Sequence, residues 1–218
     1  MQPPEVILVK NLAVSVNPNG EYNKPMGIPR EPRAKSRGLR RDYTRAPQIS
    51  KTYLLGLLHD ATERPTTFRI AQKNKQFLDF IKSELEILGA KSWIYKEGKD
   101  RNVWILEFSK KFLEKAQIIN IQDKIDYLRG YFDAEGGIAK SSKVRFYLYY
   151  CQKSFDELVQ LKKYLAELKI SCGVIHNPSK DRDPDFWRFY IAARSYRDFA
   201  KKIGSFHPDK SEILRMKI

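Results

Sequence analysis

Two segments of the chain set small residues and carboxylates at helical spacing. Tyr53-Leu54-Leu55-Gly56-Leu57-Leu58 and Tyr127-Leu128-Arg129-Gly130-Tyr131-Phe132 each open a helix, with Ser50 and Asp123 as the expected N-caps. In the second, Gly130 and Ala134 lie four apart and share a face; in the first, Gly56 takes one such position and Asp60 the other. Small residues at this spacing let two helix backbones approach closely. Such packing brings both helix C-termini to one place, where carboxylates can share divalent metal at a phosphodiester.

The elements that must position these helices occur twice. After the first helix come Thr67 to Lys73, a helix over 77–88, strands at Trp93-Ile94-Tyr95 and Val103 to Leu106, and a last helix from near Lys110. After the second come a strand over Phe146 to Lys153, a helix over 157–168, strands near Gly173-Val174-Ile175 and Trp187 to Ile191, and a last helix over 196–203. Gln72-Lys73 answers Gln152-Lys153, and Trp104 answers Trp187. Five elements in one order indicate an internal duplication, with repeats at 50–119 and 120–218. The copies differ in one interval: 16 residues separate Gly56 from Gln72, but 22 separate Gly130 from Gln152. The shorter interval leaves room for one strand rather than a hairpin, so the first repeat is expected to lack a strand.

Residues 1–49 differ in kind. Val6 to Val9 could form one strand, and Asn17 to Pro47 mixes Pro and Gly with Arg30, Arg33, Lys35, Arg37, Arg40, Arg41 and Arg45. This stretch can bury little apolar surface and reads as a basic arm that orders on a partner. The 218 residues carry a net charge of +15, which favours a polyanionic partner, nucleic acid before a membrane surface. No run approaches the roughly 18 apolar residues of a membrane helix. Hydrophobic content of 42% and a mean hydropathy of −0.56 suit a globular fold. Cys151 and Cys172, the only cysteines, make neither a disulfide framework nor a zinc site, so a reducing, cytoplasmic setting is expected, with an organelle as the alternative.

Leu128-Arg129-Gly130-Tyr131-Phe132-Asp133-Ala134-Glu135-Gly136 resembles the signature of the LAGLIDADG homing endonucleases, and the resemblance extends over about residues 50–218. It implies an α+β fold: a monomer of two pseudo-twofold-related αββαββα repeats, with a central pair of signature helices and two antiparallel sheets astride the DNA major groove. It implies a metal-dependent, site-specific endonuclease that spreads an intron or other mobile element, using Mg2+ or Mn2+. The last acidic residue of each motif holds the metal, which makes Glu135 the ligand of the second copy. The first copy departs from the pattern: Ala61 stands at that position, Asp60 is next to it, and His59 answers Asp133. On an ideal helix Asp60 lies about 100° away, so it serves only if the helix end unwinds or shifts. Gln72 and Gln152 match a family position that orients water or phosphate, and Lys110 and Arg194 one that stabilises phosphate charge. Lys143, Arg145, Tyr147 and Tyr149 alternate with core residues along one strand and are candidate DNA contacts, as are Arg33, Arg37, Arg40 and Arg41 in the arm. The alternatives are a nickase with one competent site and a non-cleaving nucleic-acid binder, either an intron-RNA maturase or a DNA-binding regulator.

Overall fold

The computed structural model describes residues 45–141 and 143–218, together with the strand backbone at 7–9 and 12–14. The chain divides into two units, residues 1–42 and 43–218. In the first, the strand expected over 6–9 gains a partner: β1 (Ile7–Val9) pairs antiparallel with β2 (Leu12–Val14). Arg33, Arg37, Arg40 and Arg41 lie outside the described residues.

The second unit opens with α1 (Lys51–Leu57), capped by Ser50, whose hydroxyl accepts the Tyr53 N–H at 3.1 Å. A 3-10 turn over Leu58–Asp60 leads into β3 (Ala61–Glu63) and β4 (Thr67–Gln72). Then follow α2 (Lys75–Ile87), β5 (Ser92–Lys96) and β6 (Trp104–Ser109), closed by a 3-10 turn over Lys110–Phe112. The second repeat runs α3 (Ile121–Glu135), β7 (Gly136–Ile138), β8 (Leu148–Gln152), α4 (Phe155–Glu167), β9 (Trp187–Tyr190), α5 (Tyr196–Lys202) and α6 (Pro208–Lys217). Two antiparallel sheets result, in the orders β3-β4-β6-β5 and β7-β8-β9. The duplication reaches the register, with Gln72 opposite Trp104 and Gln152 opposite Trp187.

The expected missing strand is not missing. β3 and β4 form a hairpin across Arg64-Pro65-Thr66, closed by Arg64 N–H donating to the Thr67 carbonyl at 2.9 Å. Three residues suffice for such a connection, so the short interval shortens the loop and keeps the strand. It is the second repeat that lacks a full fourth strand. Around the expected 173–175 strand only two isolated bridges form, Cys172 with Ile191 and His176 with Arg188. Asp123 is not the N-cap of α3 either. Asn120 caps it, and Asp123 completes a reciprocal capping box three residues on. α6 lies beyond the last helix that the repeat pattern predicts, with Pro208 in its first turn, where a missing N–H costs nothing.

Each repeat has its own core. α2 turns Phe77, Leu78, Ile81 and Leu85 onto Ile70, Leu106 and Phe108, and α4 turns Leu158, Leu161 and Leu165 onto Leu148, Tyr150 and Phe189. Each such side chain contributes about 1.5–3 kcal/mol by leaving water. The repeats meet at α1 and α3. A Cβ on Gly56 would overlap the Tyr127 carbonyl oxygen, and one on Gly130 the Tyr53 carbonyl oxygen. The backbones touch where only glycine permits it. Arg45, read as part of the arm, instead pairs with the fully buried Glu84, which also accepts the Gln48 N–H at 2.6 Å.

Candidate active site at the ends of the paired helices

The 3-10 turn decides which side chain the first repeat presents. It winds 3.0 residues per turn rather than 3.6, so Asp60 swings further round the axis than an α-helix would carry it. Ala61 is already in β3, opposite Ile70, and packs against the first core. Asp60 stays open to solvent and accepts a hydrogen bond from Gln72 Nε2 at 3.3 Å. Its carboxyl is pushed up by the protein beneath it and drawn back by the charge of Lys210. Glu135 is the last residue of α3 and half-buried. Burial raises its carboxyl, the negative charge of Asp60 raises it further, Lys210 opposes both, and Glu157 adds a smaller upward push. Glu135 therefore stands within the field of Asp60.

Lys210 is the site residue that sequence reasoning missed, because α6 lies outside the repeat pattern. Its ammonium donates to the carbonyls of Phe132 (2.6 Å), Asp133 (3.0 Å) and Gly136 (2.7 Å). Phe132 also accepts the Gly136 N–H, so the lysine adds a second donor there and clamps the end of α3 to the start of β7, where Glu135 is held. Burial pushes its pKa down to about 8, while Asp133 and Glu135 pull it up. The Cys151 thiol, raised by burial to about 11, donates to the Glu135 carbonyl at 3.0 Å.

Two carboxylates, a carboxamide and a fixed ammonium thus gather where two helices end. A family model described as a LAGLIDADG-like domain matches residues 123–204, which cover α3 through α5. The second repeat is thus a LAGLIDADG-like domain. The uncharacterized protein MJ0398 of Methanocaldococcus jannaschii is 31% identical over 172 residues, 68% of this chain, and the chain spans 61% of that relative's length. The fold is also similar to solved structures. I-DmoI in complex with DNA and Mn superposes with a TM-score of 0.53 at 22% identity, covering 72% of this chain and 97% of that one. Full-length DUF199/WhiA from Thermatoga maritima gives a TM-score of 0.57 at 15% identity, covering 81% and 64% respectively.

The other sequence-derived candidates sit around the two LAGLIDADG helices in distinct ways. Gln152 does not mirror Gln72: its side-chain amide oxygen accepts the Lys153 N–H at 2.7 Å, and its side chain also lies against the Tyr131 hydroxyl. Lys110 pairs with Glu63 of the hairpin and lies over the Phe68 ring, 5.7 Å from its centroid. Arg194 donates to Ser171 at 3.2 Å. Among the described residues neither cation bonds Asp60 or Glu135. Lys143 and Arg145 are exposed in the loop before β8 rather than on the strand, while Tyr147 and Tyr149 share the strand's outward side. Arg188, Tyr190 and His176 join those tyrosines; the alternation of Trp187 to Tyr190 could have flagged the first two.

His59 and Asp133, which answer each other in the two LAGLIDADG motifs, each bond the tyrosine that precedes the opposite glycine by three. Tyr53 donates to Asp133 at 2.8 Å, and His59 Nε2 shares a hydrogen bond with Tyr127 at 2.7 Å. Asp133 also takes the Phe206 N–H at 3.0 Å and the Ser205 hydroxyl. His59 faces Glu157 at 3.3 Å and stacks near Tyr131, with centroids 4.2 Å apart.

Proposed function

We propose that this protein binds double-stranded DNA as a monomer and cleaves it by metal-dependent phosphodiester hydrolysis, in the manner of a homing endonuclease. The observation that carries the reading is the 3-10 turn that brings Asp60, in place of the lost carboxylate at Ala61, into the field of Glu135. Helices that ended in a merely structural contact would have no reason to set the charge of Asp60 where it raises the Glu135 carboxyl.

The donor set suits Mg2+ or Mn2+. Both carboxylates offer hard oxygens, and such ions take one or two carboxylates and fill their remaining positions with water and phosphate oxygens. Burial raises both carboxyls, and for Glu135 the negative charge of Asp60 adds a repulsion that a divalent cation would relieve. When bound, the metal supplies Lewis-acid stabilisation of phosphate charge. The chain's own residues do the rest. Gln72 orients Asp60, Lys210 holds the α3 terminus that carries Glu135 and adds a fixed positive charge, and Cys151 ties the Glu135 carbonyl to β8. The two free thiols suit a reducing compartment. The test is Glu135→Gln. Duplex binding should stay within about twofold while metal-dependent cutting falls by at least about 1000-fold, because the amide keeps shape but loses the charge that holds the cation. Cutting at the wild-type rate would overturn the assignment.

A second reading, a non-cleaving nucleic-acid binder such as a DNA-binding regulator or an intron-RNA maturase, is favoured by Ala61 itself. It expects wild-type protein to bind its target and cut nothing with magnesium or manganese.

A further inference from the structure

The outer side of α4 is built unlike the outer side of its counterpart. Asn74 caps α2 and Ser154 caps α4, each through its side chain, and both helices run 13 residues. Phe155 therefore answers Lys75, Val159 answers Asp79, Lys162 answers Lys82 and Ala166 answers Glu86. In the first repeat those four positions form two i,i+4 ion pairs, Lys75–Asp79 at 2.8 Å and Lys82–Glu86 at 3.5 Å, an ordinary solvated face. In the second repeat three of the four are apolar, and they follow the spacing of one helix face. The core does not claim them: α4 buries Leu158, Leu161 and Leu165, as α2 buries Leu78, Ile81 and Leu85. Phe155 stays 44% exposed, and its ring meets that of Trp187 edge-on with centroids 5.2 Å apart. The first repeat shows that the fold does not require this stripe.

The stripe is one wall of a groove of about 480 Å³, and Val174 and Ile175 form the other. Val174 is 76% exposed. A contiguous apolar patch rimmed by charge marks a surface that another chain covers. Shape and charge decide what covers this one. A strand cannot extend the sheet here. Between the Cys172–Ile191 and His176–Arg188 bridges, residues 173–175 stand against only Phe189 and Tyr190, which makes a bulge. The Gly173 carbonyl already accepts Lys162 Nζ at 2.8 Å, and the Val174 carbonyl lies 3.3 Å from His176 Nδ1. A bulged edge with its acceptors occupied turns a strand away. A helix asks only for an apolar trough. The charged residues lining the trough are Lys162 and Lys163, with no carboxylate among the described residues that line it. A second copy would bring the same two lysines on a chain of net charge +15, so like charges would meet.

We propose that the groove between α4 and Val174-Ile175 is the docking site for an acidic amphipathic helix of a partner protein. Apolar side chains at i, i+3, i+4 and i+7 of that helix lie on Phe155, Val159 and Ala166, and its flanking carboxylates meet Lys162 and Lys163. No residue of the groove belongs to the candidate active site, so the inference stands apart from the cleavage reading.

The experiment is fluorescence anisotropy of the full chain with a labelled helical peptide of about four turns, with leucine at i, i+3, i+4 and i+7 and glutamate on both flanks. A second peptide carries lysine in place of each glutamate. The glutamate peptide should bind at least about tenfold more tightly than the lysine peptide. The double variant Phe155→Lys/Val159→Asp gives α4 the ion pair that α2 already carries, so the helix stays compatible with the fold. It should weaken the glutamate peptide at least about tenfold while the unfolding midpoint and duplex DNA binding stay unchanged. Lys163→Glu should weaken the glutamate peptide and strengthen the lysine peptide. Sedimentation should show a single copy of the chain at every concentration. No binding of the glutamate peptide, equal binding of the two peptides, or a double variant that binds like wild type would overturn the proposal. So would a dimer that the double variant dissolves, which would make a second copy the occupant.

Discussion

Tyr53–Asp133 and Tyr127–His59 are one contact made twice across the helix pair, with opposite surroundings. Asp133 is fully buried, and three hydrogen bonds offset the desolvation that pushes its carboxyl up. His59 is half-buried, its pKa lowered by burial and partly restored by Glu157. The second motif thus ends in a locked α-helix, with Asp133 tied to the other repeat and to the C-terminal segment and Lys210 closing the last carbonyls. The first ends in a 3-10 turn that His59 ties to the other repeat and Gln72 to its own sheet. A duplicated fold can change its chemistry where its copy is held more loosely, and the displaced carboxylate lies on that side.

Mutations can break this contrast or sharpen it. The largest effect belongs to what the repeats share. Gly56→Ala and Gly130→Ala each drive a methyl into backbone of the other helix and should cost at least about 3 kcal/mol in urea unfolding. A cost at only one of them would break the pseudo-symmetry. The tyrosines should then separate the copies. Tyr53→Phe removes a donor from a buried carboxylate and should cost about 2 kcal/mol, whereas Tyr127→Phe should cost about 1 kcal/mol or less. Equal losses would erase the distinction between lock and loose end.

The smallest effect is a gain. Asp60 and Glu135 both have raised carboxyls, so the fold binds their protons more readily than the unfolded chain does. The cost of holding Glu135 ionised is absent below its unfolded value of about 4 and fully present above its raised folded value. Glu135→Gln should therefore melt about 2 °C higher than wild type at pH 7, and the difference should vanish as pH falls below about 4. A lower midpoint at pH 7 would show that Glu135 is structural.

Much of this was legible in the chain. The paired glycines, the repeat order and the Gln–Trp correspondences are local patterns, and they recover the helix contact, the central strands of both sheets and the position of Glu135 at the end of α3. The loss of a strand was misread because interval length limits loop and strand together, and a three-residue turn at Arg64-Pro65-Thr66 leaves room for both strands. Asp60 could be named but not placed, because nothing in Leu58-His59-Asp60 announces a 3-10 turn. Lys210 was illegible for another reason. It meets Phe132, Asp133 and Gly136 across more than seventy residues, and no periodicity encodes a contact of that range.

The substitution of Asp60 for the carboxylate missing at Ala61 is tested most directly by strand-resolved cleavage with Asp60→Asn. The assay uses a supercoiled plasmid carrying the target, sought in sequence flanking the gene, with magnesium or manganese, and follows nicked and linear product separately. Wild-type protein should yield linear product. Asp60→Asn should bind the plasmid but form linear product at least about 100-fold more slowly, as removal of a metal-holding charge requires. Linear product at the wild-type rate from Asp60→Asn would contradict the account.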